Sequence, residues 1–346
     1  MKRYALWAGA VFAVLLLALS VTNASWLAPD PKGAPKQVAN GAIGPEAVDP
    51  AAECGRARIY EPASRHLPNT RESVLRADRM GAWLVEVDAR QTTDGAVVLF
   101  GSDDLACLTD GSGALGDRTL AGLQALDAGH GYRVGEDAHP FRDKGHRIET
   151  LTAVADALPS HGKLMVHLAA DDPAFLDAVL AALVAAGRKP ASSGDAFYGP
   201  PAAIASLRER EPGAWAFSPQ EARQCTDDYV LTGWTGIVPE SCENGTMLVA
   251  LDEQAFLWGW PNRLIARLES VGARIVIEGP GEAAPGEVAG ITLPEQLTEI
   301  PDSFNGYVWT DDAFVTLPAL VSRYDNRNAA EIEAAQAALE RRRAAQ

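Results

Sequence analysis

Two acidic residues, Glu86 and Asp88, lie two positions apart in an otherwise apolar run that begins at residue 83. Alternate residues of a β-strand project to the same face, so both carboxylates are expected to lie side by side. Two adjacent carboxylates repel each other unless a cation lies between them. The spacing therefore predicts half of a metal site on a strand.

The segments around this pair follow a recognisable order of turn, helix, strand, turn, strand and long loop. Its motifs are Leu67-Pro68-Asn69-Thr70, Glu86-Val87-Asp88, Thr93-Asp94-Gly95, the run 97–100, Leu105, Thr109, Thr119-Leu120, the run 145–151 and Val308-Trp309-Thr310-Asp311. Together they resemble the glycerophosphodiester phosphodiesterase family, densely in the first half of the domain and thinly after about residue 190. The resemblance implies an α/β fold, a TIM-type (β/α)8 barrel with an insertion over its mouth after strand three.

The sequence departs from this family at the positions expected to carry out the reaction. The alignment places the family's His-Arg-Gly on Tyr60-Glu61-Pro62, its His-Asp on Gly101-Ser102 and its Glu-x-Lys on His167-Leu168-Ala169. In the family, the two histidines are taken as general base and acid, and the arginine and lysine as phosphate ligands. None of these four side chains is present at its matching position, so no catalytic residue is assigned.

The same alignment places Glu61, Glu86, Asp88 and His167 at the carboxyl ends of barrel strands, where the active mouth of such barrels lies. Three carboxylates and one imidazole could hold a divalent ion (Mg, Ca, Mn or Zn), and the imidazole favours zinc or manganese over calcium. The alternative is that the two acids are hydrogen-bonded relics and His167 is a core histidine. His130, His139 and His146, in the mouth insertion, could replace one lost catalytic group.

The charge balance restricts the partners of the chain. Its 346 residues carry a formal net charge of −16. This charge argues against nucleic acid as a partner and against adhesion to anionic lipid by charge alone. It also opposes binding of an anionic phosphodiester unless a bound cation offsets it.

The chain divides into four segments by composition. Residues 1–24 begin with two basic residues and continue with an apolar run, which predicts a signal peptide or a membrane anchor. Residues 25–50 are rich in Pro, Gly and Ala and are predicted to form a flexible linker. Residues 51–325 form the barrel, and 326–346 a C-terminal surface helix. The domain is therefore expected to be exported, either periplasmic or membrane-anchored outside the cytoplasm.

Strand predictions follow from short apolar runs between turn residues. The first strand is expected at 56–60 and the third at 96–100, with the mouth insertion over 101–146. The remaining strands are expected to include Glu86 and Asp88 and to cover 163–168, 214–217, 236–238, 247–251, 274–277 and 307–310.

The four cysteines suggest one disulfide. In an oxidising compartment, Cys225 and Cys242 can close a short loop. Cys54 is expected before strand one and Cys107 after strand three, at opposite ends of a parallel barrel. These two are therefore expected to remain unpaired and buried.

Three functions remain open from the sequence. The first is an exported glycerophosphodiester phosphodiesterase-like protein with impaired catalysis, which binds a phosphodiester or phospholipid head group, or an envelope protein, at the barrel mouth. The second is an active metal-dependent phosphoric diester hydrolase of glycerophospholipid metabolism that uses a rebuilt site. The third is a structural envelope protein. The absence of both family histidines favours the first, and the retained Glu86 and Asp88 favour the second.

Overall fold

Eight parallel strands surround the centre of the computed structural model, which describes residues 2–50, 52–281, 283 and 286–345. Their sheet order is β7-β6-β5-β2-β1-β10-β9-β8. The barrel strands are β1 (Lys36–Ala39), β2 (Leu84–Gln91), β5 (Leu164–Leu168), β6 (Ala196–Tyr198), β7 (Trp215–Phe217), β8 (Thr246–Ala250), β9 (Arg274–Glu278) and β10 (Tyr307–Thr310). A hydrogen bond of 3.0 Å from Trp215 Nε1 to Thr246 Oγ1 joins the two outermost strands, so the barrel is nearly closed. The predicted TIM-type barrel is confirmed.

Helices follow most of the strands and cover the outside of the barrel. They are α1 (Lys2–Thr22), α2 (Arg71–Arg79), α3 (Leu120–Gln124), α4 (Leu151–Ala157), α5 (Pro173–Ala185), α6 (Pro190–Ser193), α7 (Pro201–Arg210), α8 (Pro219–Thr232), α9 (Asn262–Ser270), α10 (Ala313–Leu320) and α11 (Ala329–Ala345). Side-chain caps fix several of their starts. Thr70 and Ser73, for example, form a reciprocal capping box at the first turn of α2.

Residues of the strands alternate between two buried layers, as the period of two requires. Val85 and Val87 of β2 pack outward against the helices, while Leu84 packs inside the barrel. Glu86 and Asp88 share the inward face with Leu84, so the strand carries both acids into the barrel interior. This alternation is the reason that an acidic pair is buried in the middle of an apolar strand.

The first barrel strand lies earlier in the chain than the sequence suggested. Strand β1 is Lys36–Ala39, which pairs in parallel with β2 and β10. The predicted strand at 56–60 is wrong, because this segment contains a 3-10 turn, Gly55–Ala57, followed by isolated bridges from Arg58 to Arg133 of the mouth insertion and from Ile59 to Ala47. The linker prediction for 25–50 is wrong over β1, and the barrel begins before residue 51.

The third predicted strand exists but does not belong to the barrel wall. Strand β3 (Val97–Leu99) pairs antiparallel with the end of β2, and β4 (Glu149–Thr150) pairs antiparallel with β3. Residues 236–238 form no strand, and β6 takes a place in the barrel for which no strand was predicted. Between β3 and β4, the mouth insertion builds a core of its own with Ile59, Leu105, Tyr132 and Phe141.

Both possible disulfides are present in the structure. Cys225 and Cys242 are bonded as the sequence suggested. The expectation of unpaired Cys54 and Cys107 is wrong, since these two are bonded as well. The expectation failed because β1 lies earlier in the chain than predicted. Cys54 therefore follows this strand instead of preceding it, and it lies at the mouth end of the barrel together with Cys107.

The C-terminal helix is present and only partly exposed. In α11, Ala335 and Ala338 are each 2% exposed, and Arg342 forms a buried ion pair with Asp312. The predicted surface helix therefore packs one face against the barrel. Among the described residues, no helix is both long and apolar enough to cross a membrane.

Replacement of both Cys225 and Cys242 with alanine should lower the free energy of unfolding by about 3 kcal/mol, because the unfolded chain regains the entropy of the closed loop. Denaturant unfolding of the variant and of the wild type, both without reductant, measures this difference. Mass mapping of the wild type is the control, because two free thiols at these positions would contradict the assignment.

Candidate functional site at the barrel mouth

Glu86 lies deepest in the site and is 1% exposed. Its two carboxylate oxygens accept hydrogen bonds from Tyr198 Oη at 2.9 Å and from the Gly41 backbone N–H at 2.7 Å. Gly41 follows β1 with a φ of 60°, a conformation that glycine adopts without strain. Burial, and then the charge of Asp88, raise the pKa of Glu86 well above its ordinary value.

Asp88 lies two residues further along β2, on the same face as Glu86 and closer to the cavity. Asn69 holds it from two directions, with Nδ2 donating to Oδ2 at 2.9 Å and Oδ1 accepting from the Asp88 backbone N–H at 2.7 Å. Burial alone would raise the pKa of Asp88. The hydrogen bond and charge of His167, followed by the charge of Arg56, outweigh burial and lower this pKa below its ordinary value.

His167 comes from the neighbouring strand β5, in register with Asp88 on one side and Tyr198 on the other. Its Nδ1 lies 2.8 Å from Asp88 Oδ1, and its ring stacks on Tyr198 with centroids 4.5 Å apart. With Asp88 ionised, Nδ1 carries the proton and donates a hydrogen bond to the carboxylate. This arrangement fixes the ring and leaves Nε2 without a hydrogen bond within the described part of the chain.

Arg56 is the positive charge nearest to the two acids, and the sequence did not single it out. Its Nη1 lies 3.7 Å from Asp88 Oδ2 and donates to the Gly101 carbonyl at 3.1 Å. Burial alone would lower the pKa of Arg56, but nearby carboxylates, led by Asp88, outweigh burial and raise it. Arg56 therefore stays charged beside the pair.

Ligand atoms of the right kind for a divalent ion are brought together here. Those of Glu86, Asp88 and His167 lie within 4.8 Å of one another. Each of their carboxylate oxygens already accepts one hydrogen bond, and the charge of Arg56 beside Asp88 opposes the binding of a cation. An ion would have to compete with this charge and share the oxygens with their present donors.

Glu61, the fourth predicted ligand, lies outside this cluster. It is exposed and lines a shallow depression beside Ala63 and Phe314. The reason is again the position of β1, since Tyr60-Glu61-Pro62 does not end a barrel strand. The residues that follow β1 are Asn40-Gly41-Ala42, so the first family histidine corresponds in space to Asn40, whose Nδ2 donates to Asp311 Oδ1 at 2.7 Å.

The three loop histidines do not reach the site. His139 contacts the Tyr132 carbonyl and Arg142, and His146 packs its ring edge-on against Phe141. Within the described residues, His167 is the one imidazole that lines the mouth cavity. The replacement of a lost catalytic group by these histidines, which the sequence left open, therefore has no support in the geometry.

The mouth opens into a cavity of about 510 Å³ that has both apolar and polar lining residues. Its apolar lining includes Leu67, Phe100, Tyr132 and Ile148. Its polar lining includes Arg56, His167, Asn40, Glu46, Asp88, Arg147, Glu287 and Asp311. The cavity therefore suits a small ligand that has both an apolar and a charged part.

Glu46, which lines this cavity, gives a pH-dependent contribution to the stability of the folded protein. Burial, followed by Asp312 and Asp311, raises the pKa of Glu46 well above its ordinary value of 4.5. The folded protein then holds this proton more tightly than the unfolded chain does, so stability falls as the pH rises from about 4.5 through the raised pKa.

The Glu46→Gln variant cannot lose that proton, so its free energy of unfolding should exceed that of the wild type at pH 7.5. The two proteins should converge below pH 4, where Glu46 is protonated in both states. Denaturant titrations at the two pH values test this expectation. The exposed Glu61 provides the control, because Glu61→Gln should leave the curves superimposed. Equal stabilities of wild type and Glu46→Gln at pH 7.5 would contradict it.

Comparison with known protein families agrees with this geometry. Residues 63–179 match the model of the glycerophosphoryl diester phosphodiesterase family. An uncharacterised protein of Mycobacterium tuberculosis is 34% identical over 113 residues, which cover 31% of this chain and 36% of that protein. The glycerophosphodiester phosphodiesterase of Bacillus subtilis is 30% identical over 128 residues, which cover 35% of this chain and 43% of that enzyme. The matches thus span less than half of these relatives.

Solved structures extend the similarity of the fold over most of the chain. The phosphodiesterase domain of the same M. tuberculosis protein superposes with a TM-score of 0.59 at 19% identity, covering 84% of this chain and 99% of that domain. A phosphodiesterase of Oleispira antarctica, crystallised with its product sn-glycerol-3-phosphate, gives a TM-score of 0.51 at 16% identity, covering 85% and 98%. At these identities the similarity establishes the barrel fold alone.

Proposed function

Because this chain belongs to the glycerophosphoryl diester phosphodiesterase family, we propose that it is an exported member with impaired catalysis. In this proposal the barrel mouth binds the phosphate of a glycerophosphodiester or phospholipid head group without hydrolysing it efficiently.

The observation that carries the proposal is the set of side chains at the ends of the first and third strands. Asn40 follows β1 and Gly101 lies two residues beyond β3, so neither position offers a group for proton transfer. Phosphodiester hydrolysis needs one proton removed from the attacking hydroxyl and one delivered to the leaving oxygen. Each such role typically contributes about 10² to 10⁴ in rate. With His167 as the single imidazole that lines the described mouth, the pair of imidazoles that the family resemblance implies is incomplete.

Binding of a phosphodiester needs no proton-transfer group, and the cavity has a cationic and an apolar region that suit such a ligand. Arg56 uses one of its N–H groups on Gly101, and the guanidinium side chain remains 48% exposed. A guanidinium suits phosphate because its parallel N–H groups match two phosphate oxygens. Apolar lining residues such as Phe100 and Tyr132 would contact the glycerol or the alcohol part of the ligand. The related O. antarctica structure holds sn-glycerol-3-phosphate, a ligand of the same class.

A working hydrolase with a rebuilt site is the second candidate, and the pairing of His167 with Asp88 favours it. A carboxylate that holds Nδ1–H orients an imidazole with Nε2 free, which is the arrangement of a general base. In this candidate His167 would take the proton of the attacking hydroxyl. Tyr198 is a poor proton donor to the leaving group, since burial raises its pKa well above 10.

One purified sample of the full chain distinguishes the two candidates. Hydrolysis of glycerophosphocholine and bis(p-nitrophenyl) phosphate is measured with Mg²⁺, Ca²⁺, Mn²⁺ or chelator, and binding of sn-glycerol-3-phosphate is measured by calorimetry. Binding that is lost in Arg56→Gln, without turnover, would support the impaired binder. Turnover that is lost in His167→Gln would establish the rebuilt hydrolase. If neither occurs, the mouth does not act on this ligand class, and an envelope protein becomes the partner to seek.

Export follows from the N-terminal segment and is part of the proposal. Helix α1 ends at Thr22, immediately before the small residues that would precede a cleavage site. N-terminal sequencing of the protein from fractionated cells tests this. A start near Ser25 indicates a cleaved leader, a start at the initiator in the membrane fraction indicates an anchor, and recovery from the cytosol contradicts export.

A further inference from the structure

We infer that Arg56 is a built-in cation that takes the place of a divalent ion at the Glu86–Asp88 pair. The inference deepens the proposed function and rests on it, because a site held by arginine binds an oxyanion directly and has no need of metal. Divalent ions should therefore bind weakly to the native chain and more strongly once Arg56 is removed.

The first support is electrostatic. A positive charge nearby stabilises two carboxylates on one face of β2, since burial next to each other disfavours both charges. Arg56 Nη1 lies 3.7 Å from Asp88 Oδ2. Because a guanidinium does not deprotonate in proteins, this positive charge is permanent.

The second support is the fit between Arg56 and Gly101. A Cβ atom at position 101 would lie 2.8 Å from Arg56 Nη1 and 3.2 Å from Asp88 Oδ2. A larger residue at this place would thus push the guanidinium away from the pair. Gly101 also accepts the Arg56 hydrogen bond through its carbonyl oxygen. The position of the Arg56 guanidinium beside the pair therefore depends on glycine at position 101.

The third support is that the backbone around Arg56 is fixed on both sides. On one side, Cys54 is bonded to Cys107 of the mouth insertion. On the other side, the Ile59 N–H donates to the Arg133 carbonyl at 3.0 Å, and the Arg133 N–H donates to the Ala57 carbonyl at 2.8 Å. The backbone of Arg56 is therefore held in place on both sides, and its side chain lies beside the carboxylates.

The fourth support is that each oxygen of the two acids already has a donor from the protein. Tyr198 and Gly41 donate to the two oxygens of Glu86, while His167 and Asn69 donate to those of Asp88. The protein thus stabilises the pair in part without metal, and Arg56 adds the positive charge. Removal of the Arg56 charge would leave the same four donors but would also leave the charge of Asp88 uncompensated.

The test measures Mn²⁺ binding by calorimetry and by the electron paramagnetic resonance signal of free Mn²⁺, with no phosphodiester present. Arg56→Gln should bind one Mn²⁺ at least about tenfold more tightly than the wild type, because the competing charge is gone. Arg56→Gln with Asp88→Asn should lose this gain. Arg58→Gln is the matched control: it removes an exposed arginine two residues away and should behave as the wild type.

Two outcomes would overturn the inference. One is a wild type that already binds Mn²⁺ tightly at a site lost in Asp88→Asn, a result that needs no Arg56 variant. The other is a folded Arg56→Gln whose Mn²⁺ affinity equals that of the wild type. If Arg56→Gln folds only when Mn²⁺ is added, the inference is supported. A wild type that binds neither Mn²⁺ nor sn-glycerol-3-phosphate would refute the proposed ligand while leaving the role of Arg56 intact.

Discussion

Introduction of two histidines, as Asn40→His and Gly101→His, together with Arg56→Gln, should raise phosphodiester hydrolysis at least about 100-fold above the wild type. The resemblance to the family implies a general base and a general acid at these two places, and each proton-transfer role typically contributes about 10² to 10⁴ in rate. Arg56→Gln is included because a side chain at position 101 would collide with the guanidinium, 2.8 Å from the new Cβ. It also removes the charge that competes with a divalent ion, so the gain is expected in Mn²⁺, where a bound ion would replace the phosphate contact of Arg56.

The measurement is the initial rate of bis(p-nitrophenyl) phosphate hydrolysis in Mn²⁺, Ca²⁺ and chelator. The control carries the same number of histidines at the place that the sequence alignment indicated, as Tyr60→His with Gly101→His and Arg56→Gln. Because Tyr60 does not follow a barrel strand, this control should show no such gain. Equal gains in rate for the two triple variants would refute the position of the missing histidine at Asn40. A folded Asn40 variant without any gain would mean that the phosphate contacts are lost as well.

The sequence was sufficient to predict the barrel and half of its site. Strand β2 is an apolar run with acids at alternate positions, so strand type and the shared face of Glu86 and Asp88 follow from periodicity alone. The family motifs supplied the barrel fold and the neighbouring strand with His167. The structure brings these three side chains together as expected.

The first strand could not be found in the same way. Strand β1 has only four residues, and Gln37 is buried within it. Gln37 Nε2 donates to Thr310 Oγ1 at 2.9 Å, so the amide nitrogen of this buried polar side chain has its partner on a strand more than 270 residues away. No local pattern reports such a contact. Because the first strand was predicted at 56–60, Glu61 was wrongly assigned to the site and Asn40 was omitted from it. Cys54 was likewise assigned to the wrong end of the barrel.

Arg56 was missed for a related reason. Its partners, Asp88 and Gly101, lie 32 and 45 positions further along the chain, and they meet only because the Cys54–Cys107 disulfide and the mouth insertion bring the segments together. One signal was present in the sequence: a pair of acids without any family histidine leaves an unbalanced charge. Such an imbalance could have prompted a search for a basic residue elsewhere in the chain.

Arg188→Met should lower the free energy of unfolding by about 3 to 5 kcal/mol, because it leaves a buried carboxylate without its counter-charge. Arg188 Nε and Nη2 donate to the two oxygens of Asp195 at 2.8 and 2.6 Å, and the Asp195 side chain is 0% exposed. Asp195 also accepts the backbone N–H of Leu164, the first residue of the strand that carries His167. The ion pair therefore anchors a site strand from the opposite end of the barrel.

Denaturant unfolding at pH 7.5 measures the loss, with Arg210→Met as the matched control. Arg210 pairs with Asp177 at the surface, where such pairs contribute about 0 to 1 kcal/mol, so the control should unfold close to the wild type. Addition of Asp195→Asn to Arg188→Met should recover part of the loss, because it removes the uncompensated charge and retains an oxygen for the Leu164 N–H. A loss in Arg188→Met no larger than in Arg210→Met would show that water reaches Asp195 and that this end of the barrel is open.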